Sequence, residues 1–214
     1  SRRSRNTSWF MQGVDFDSWR QGYDKMTFDE HSEFYRRLHG DHPDQQHFSV
    51  ESAHSFFGRI DGAKSVIELG GYDGGLASLC LSEHPEIISW ANFDLDPAAS
   101  LCDDPRYSAI TLTAQFWEAR PPLSDNEIFV ASHVIEHLSN HHFLSLLANV
   151  RASAAIYFDA PIDQSVRPKW DGTTAAHKLF MSWDDIDWLV SQLGYVRIDV
   201  AGPAHAYQSR WKAV

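Results

Sequence analysis

One short run constrains the fold of this chain more than any other. Lys64 to Leu69 reads KSVIEL and passes without a break into Gly70-Gly71-Tyr72-Asp73-Gly74-Gly75. The first six residues, β-branched and apolar at their centre, have the character of a buried strand. The glycine-dense run after them cannot prolong it, because glycine sits where the backbone turns through dihedrals closed to other residues. From about Gly75 to Ser82 apolar residues return with the character of a helix. Strand, glycine loop and helix in this order open an α/β unit in which a ligand can lie against bare backbone at the strand's carboxyl end.

The alternation repeats along the chain. Strands are expected at Ile87 to Phe93, Tyr107 to Leu112, Ile128 to Ser132 and Ala154 to Phe158, with a short helix after Pro97 and another from Ser139 to about Val150. Strands separated by helices need crossover connections, so the sheet should be mostly parallel. Ser182, with Asp185 three residues on, starts a further helix whose stripe is Ile186, Leu189, Val190 and Leu193, and Gly194 ends it. Two strands close the chain, Tyr195 to Val200 and about Ala206 to Val214. The expected architecture is a Rossmann-like three-layer α/β sandwich around a mostly parallel seven-stranded sheet. Asp159 to Phe180, with Pro161, Pro168, Gly172 and Trp170, is too irregular for a regular element and is the candidate substrate loop.

Residues 1–49 carry aromatics among charges, including Trp9, Trp19 and Tyr23, and read as a helical N-terminal cap or lid; residues 50–214 form the main domain. The cap suits either a homodimer contact or a cover over the site. No stretch approaches the roughly 20 apolar residues of a membrane span, and no signal-peptide pattern opens the sequence, so a soluble, cytoplasmic protein is expected. A net charge of -11 opposes non-specific binding to a phosphate backbone, which points to a small-molecule partner rather than a nucleic acid. Cys80 and Cys102 have no ligand spacing, and the adjacent His141 and His142 face different directions on a helix, so no metal site is expected.

Dinucleotide enzymes use G-x-G-x-x-G at the first loop, and Tyr72 stands where that pattern has its second glycine. The second strand ends in Asp94-Leu95-Asp96-Pro97. A carboxylate at Asp94 can accept both hydroxyl protons of a ribose, while Asp96 before Pro97 suits a helix N-cap.

The E-x-G-x-x-x-G of Glu68 to Gly74, the acidic end of strand two and Ile128-Phe129-Val130-Ala131-Ser132-His133-Val134-Ile135-Glu136-His137-Leu138 occur together in the order of one family. Over about residues 50 to 214 the chain resembles the class I methyltransferases, particularly their small-molecule branch. The late His177-Lys178-Leu179-Phe180-Met181-Ser182 and Gly194-Tyr195 are similar to that family too, and the resemblance implies an antiparallel C-terminal strand in the mostly parallel seven-stranded sheet. The resemblance implies S-adenosylmethionine as cofactor, S-adenosylhomocysteine as product, and methyl transfer to an oxygen or nitrogen of a sugar or secondary metabolite. By the same resemblance Glu68, Gly70, Gly71 and Gly74 would line the methionine and ribose, Asp94 would bind the ribose, and Leu95 would pack on the adenine. Gln115 and Phe116 would edge the adenine, Ser132 and His133 would border the sulfonium and the acceptor, and Tyr23 would cover the cofactor from the cap. Tyr72 departs from the family's usual G-x-G-x-G.

Methyl transfer from a sulfonium is an in-line displacement, in which alignment and exclusion of water matter most. A hydroxyl acceptor also needs a base. His137 is read either as that base or as a helix-start residue bonded to backbone; His177 is its rival, and His133 completes the catalytic candidates. Two other readings are carried: a non-catalytic module that keeps the cofactor fold, and a nicotinamide-dependent oxidoreductase, which lacks its glycine spacing here.

Overall fold

In the strands Ser65–Leu69, Glu127–Ser132 and Ala155–Ala160, apolar side chains fill both faces. Ile67, Leu69, Phe129, Ala131, Ile156 and Phe158 point into one buried cluster, and Val66, Ile128, Val130, Ala155 and Tyr157 into another. Side chains alternate across a sheet, so a strand buried on both faces requires a layer of structure on each. The computed structural model describes residues 65–95, 102–112, 123–160, 181–201 and 207–214, with 25–27 and single positions at 29, 30, 33, 34, 37, 53, 54, 162 and 179.

The described residues form one seven-stranded sheet: β1 (Ser65–Leu69), β2 (Ser89–Asp94), β3 (Tyr107–Thr111), β4 (Glu127–Ser132), β5 (Ala155–Ala160), β6 (Tyr195–Ala201) and β7 (Tyr207–Ala213). Their spatial order is β3-β2-β1-β4-β5-β7-β6. The β2–β1, β1–β4, β2–β3 and β4–β5 pairs are parallel. β7 is antiparallel to both β5 and β6, and so is the one reversed strand. The expected three-layer architecture is present.

Among the described residues, three α-helices of defined limits cover the faces. α1 (Gly75–Glu83) buries Leu76, Ala77, Cys80 and Leu81 in the cluster that also holds Trp90 and Ala53. α2 (Asn140–Val150) and α3 (Trp183–Gln192) cover the other face, contributing Phe143, Leu146, Leu147, Val150, Trp183, Ile186 and Val190. Their starts follow from capping chemistry. The Ser139 hydroxyl accepts the His142 N–H, and Ser182 with Asp185 forms a reciprocal capping box.

Two strand limits differ from the sequence expectation by two residues, and the others by one at most. β2 begins at Ser89 rather than Ile87, because the Ile87 carbonyl is taken by Arg106, whose guanidinium also binds the carbonyls of Leu81 and His84 and the Asp104 carboxylate. β5 runs two residues beyond Phe158, because Asp159 and Ala160 pair with Gln208 and Tyr207 of β7. Asp159, expected at the start of a loop, is therefore a strand residue. The short helix after Pro97, most of the N-terminal cap and nearly all of the candidate substrate loop lie outside the described residues. Ala53 and His54 are helical, and His54 Nε2 lies 3.1 Å from Glu83 Oε2 at the end of α1.

Candidate active site

The chain leaves β1 for β2 and β3 on one side and returns to β4 on the other, which makes the β1–β4 boundary the switch point of the sheet. In open α/β sheets the crevice beyond the carboxyl ends at such a boundary is where ligands bind. Gly70 follows β1, Asp94 ends β2, Ser132 ends β4 and Asp159 lies near the end of β5. Because these four strands run in one direction, the residues share one edge.

The glycine loop is drawn tightly against its surroundings. Gly70 (φ 74°), Tyr72 (φ 45°) and Gly74 (φ 76°) all have left-handed backbone. A Cβ on Gly70 would collide with Val134, and one on Gly71 with the Glu68 carboxyl group. Glycine at these two positions therefore lets the loop touch both the segment after β4 and the end of β1. Tyr72, the departure from the usual glycine pattern, takes the left-handed conformation despite its Cβ. Its N–H donates to Asp94 Oδ2 at 2.9 Å, and the Gly71 N–H donates to Asn92 Oδ1 at 2.9 Å.

Glu68 lies beneath this loop and is 2% exposed. Trp90 Nε1 donates to its Oε2 at 2.8 Å. Burial pushes its carboxyl up to about 7, with the Asp94 and Asp73 charges adding to the rise and the Trp90 bond opposing it. Glu68 thus packs against the underside of the loop, while Asp94 stands at its rim.

The second half of the site follows β4. His133 has a left-handed backbone (φ 54°), and its N–H donates to the Asp159 carbonyl at 2.7 Å. Its side chain is 40% exposed and lies between two acids, with Nε2 3.8 Å from Asp159 Oδ2 and Nδ1 3.6 Å from Glu136 Oε1. Ser132 Oγ donates to the same Asp159 oxygen at 3.1 Å. His137 sits in a single 3₁₀ turn, Ile135–His137, with its N–H on the Val134 carbonyl and Nε2 3.9 Å from Glu136 Oε1. Glu136 is 3% exposed, and its Oε2 has no hydrogen-bond partner. Burial pushes its carboxyl up to about 8, and the Asp159 charge adds to the rise.

These distances gather Ser132, His133, Glu136, His137 and Asp159 into one cluster. Glu68, Gly70, Gly71, Tyr72, Gly74, Asp94 and Leu95 lie at the ends of β1 and β2. Tyr23, Gln115, Phe116 and His177 lie outside the described residues. Sequence reasoning gave no role to Glu136 or Asn92. Each is a polar residue inside an apolar segment, V-I-E-H-L and W-A-N-F, and that was the signal available. Among the described residues, no group of three or more His, Cys, Asp and Glu is arranged to hold a metal ion, and no helix is long and apolar enough to cross a membrane.

No family model and no curated protein sequence matches the chain. Solved structures do match. A methyltransferase of calicheamicin biosynthesis, CalO1, in its S-adenosylhomocysteine-bound form, superposes with a TM-score of 0.61 at 15% identity, covering 94% of this chain and 62% of that one. Human N-acetylserotonin methyltransferase in complex with SAM gives 0.61 at 15% identity over 99% of this chain and 64% of that one. The fold is that of the class I methyltransferases. A SAM-dependent methyltransferase from Archaeoglobus fulgidus superposes over nearly its whole length, with a TM-score of 0.61, 15% identity, and coverage of 84% of this chain and 99% of that one. The chain spans 60% to 64% of the length of the larger methyltransferases it superposes on.

Proposed function

We propose that the chain is an S-adenosylmethionine-dependent methyltransferase acting on an oxygen or nitrogen of a small molecule, with a sugar or secondary metabolite as the acceptor class. One observation carries this reading. A loop with three left-handed residues and an acid at the next strand end face the switch-point crevice, and a histidine set between two acids stands after β4. The fit to the cofactor rests on the loop itself. Two glycines without room for a Cβ bring bare backbone to the crevice, and Asp94 offers a carboxylate to ribose hydroxyls. The neighbours add support, since the calicheamicin protein is described with S-adenosylhomocysteine and the human protein with SAM.

The bound cofactor supplies an electrophilic methyl group on a sulfonium. The chain's own residues bind, orient and move a proton. Asp94 holds the ribose while its Oδ2 keeps the Tyr72 N–H, so one carboxylate shapes the loop and reads the ligand. His133, partly exposed, takes the acceptor's proton, and Asp159 steadies the resulting imidazolium from 3.8 Å. Ser132, on the same Asp159 oxygen, fixes that carboxylate's direction. A homodimer and a cytoplasmic location belong to this reading as proposals.

The test is calorimetric titration of wild type and Asp94→Ala with S-adenosylmethionine, S-adenosylhomocysteine and NADH, followed by a labelled-methyl screen of hydroxyl and amine acceptors. Binding of the first two ligands, weakened at least tenfold in the variant, together with label transfer, is the expected result. Binding without transfer to any acceptor favours the non-catalytic module. Binding of NADH alone favours the oxidoreductase.

A further inference from the structure

Asn92 is fully buried on β2, a strand paired on both sides, where a side chain is ordinarily apolar. Its bonds explain its presence. The Gly71 N–H is a donor, so Oδ1 must face it, and it does so at 2.9 Å. That orientation sends Nδ2 to Tyr107 Oη at 3.0 Å and to the Tyr72 carbonyl at 3.4 Å. Two residues along the strand, on the same face, Asp94 accepts the Tyr72 N–H. Three backbone groups of the loop, the N–H of Gly71 and the N–H and C=O of Tyr72, are thereby held by side chains of β2.

Tyr72 needs such a hold. A residue with a Cβ disfavours left-handed backbone, whereas glycine takes it freely. We propose that Asn92 is a positioning residue for the cofactor: its carboxamide, anchored by Tyr107 of β3, holds the Gly71 N–H and the Tyr72 carbonyl on either side of the Gly71–Tyr72 peptide and so keeps Tyr72 in its left-handed conformation, so that the cofactor meets a preformed edge. This rests on the reading of the chain as an S-adenosylmethionine-binding protein. A tyrosine replaces the loop glycine here, and the amide on β2 is what makes that replacement workable.

The experiment is a double-mutant cycle read by calorimetric titration with S-adenosylhomocysteine, using the full chain as wild type, Asn92→Ala, Tyr72→Gly and the double variant, with a thermal melt of each. Asn92→Ala should weaken binding about tenfold in the Tyr72 background. In the Tyr72→Gly background, whatever that variant's own affinity, the same change should weaken it less than threefold. A purely structural asparagine would lower the melting temperature equally in both backgrounds without this difference in affinity. An equal loss of affinity in both backgrounds, or affinity within twofold of wild type in folded Asn92→Ala, overturns the inference. Should Asn92→Ala fail to fold, Tyr107→Phe removes only the hydroxyl that anchors the amide. It should weaken binding about threefold with Tyr72 and not with glycine, and equal values in the two backgrounds would again overturn the proposal. A wild-type protein that does not bind S-adenosylhomocysteine refutes the proposed function and this inference with it; a wild type that binds and shows an additive cycle refutes only this inference.

Discussion

Glu136 Oε1 lies 3.6 Å from His133 Nδ1, while the other oxygen of the same carboxyl, Oε2, is buried without a hydrogen-bond partner. That asymmetry makes Glu136 a group whose charge the fold resists. Its carboxyl is pushed from 4.5 up to about 8, first by burial. A carboxyl that holds its proton more tightly when folded favours the folded state at low pH, and stability falls as pH rises from about 4.5 towards 8. Glu136→Gln keeps the shape and removes the ionisation. Its melting temperature relative to wild type should therefore be higher at pH 8.5 than at pH 5, a relative gain on the order of 1–3 kcal/mol, the usual cost of a buried unsatisfied polar group. Glu68, raised to about 7, titrates in both proteins, so its contribution cancels in the difference and the change with pH reports Glu136. A melting difference that does not change with pH would contradict this.

Gly70 carries two separable constraints, a left-handed φ of 74° and the closeness of Val134. Gly70→Ala should destabilise the protein by about 2–4 kcal/mol, from overpacking together with left-handed strain. Adding Val134→Ala should return the steric part and leave about 1–2 kcal/mol, the cost of left-handed backbone for a residue with a Cβ. Denaturant unfolding of the two variants checks this, and a double variant no more stable than Gly70→Ala would show that the collision does not set the cost.

Ser182 and Asp185 close the start of α3 through each other's backbone N–H groups, at 3.0 Å and 2.8 Å. Ser182→Ala should cost about 1 kcal/mol, typical of a lost N-cap. Because the Asp185 carboxyl is held below its ordinary value first by the Ser182 backbone N–H, its contribution is present at neutral pH and is lost as pH falls through that lowered value. Thermal melts of Ser182→Ala and Asp185→Asn at pH 7 should both fall below wild type, and the Asp185→Asn deficit should shrink in acid. A deficit that stays constant would remove the carboxylate from the account.

β1 and β5 were legible because each is a short apolar run with a glycine or a proline directly after it. The mostly parallel sense of the sheet followed from helices lying between strands, and β7 was expected to be reversed from the family resemblance. What the sequence could not display is contact across the switch point. Val134 and Gly70 are 64 positions apart, and only the fold brings them together. The same holds for Asn92, an isolated polar letter in W-A-N-F until the loop of Gly71 and Tyr72 folds over it. Asp159 was placed in a loop because Pro161 follows closely, but pairing with β7, a partner about fifty residues later, extends the strand through it. The histidines were ambiguous for a related reason: twelve are present, and their roles depend on which acids the strand ends bring alongside.

His133 is the histidine whose backbone and neighbours fit a base, and a substitution can separate those two features. Asparagine tolerates left-handed backbone better than other residues with a Cβ, so His133→Asn preserves the φ of 54° at lower strain while removing the imidazole. With a hydroxyl acceptor found in the screen, turnover by His133→Asn should fall about 10²- to 10⁴-fold, the usual contribution of a general base. Affinity for S-adenosylhomocysteine should fall far less, because Asp94 and the glycine loop stand on the other side of the crevice. His137 serves as the comparison: its Nε2 lies 3.9 Å from the same Glu136 oxygen, and His137→Asn, which keeps the backbone N–H that closes the 3₁₀ turn, should lose turnover far less than His133→Asn. Single-turnover rates and thermal melts of the two variants decide the assignment. If His133→Asn keeps turnover within threefold of wild type while His137→Asn loses it, the proton passes through His137, and Glu136 then serves that ring instead.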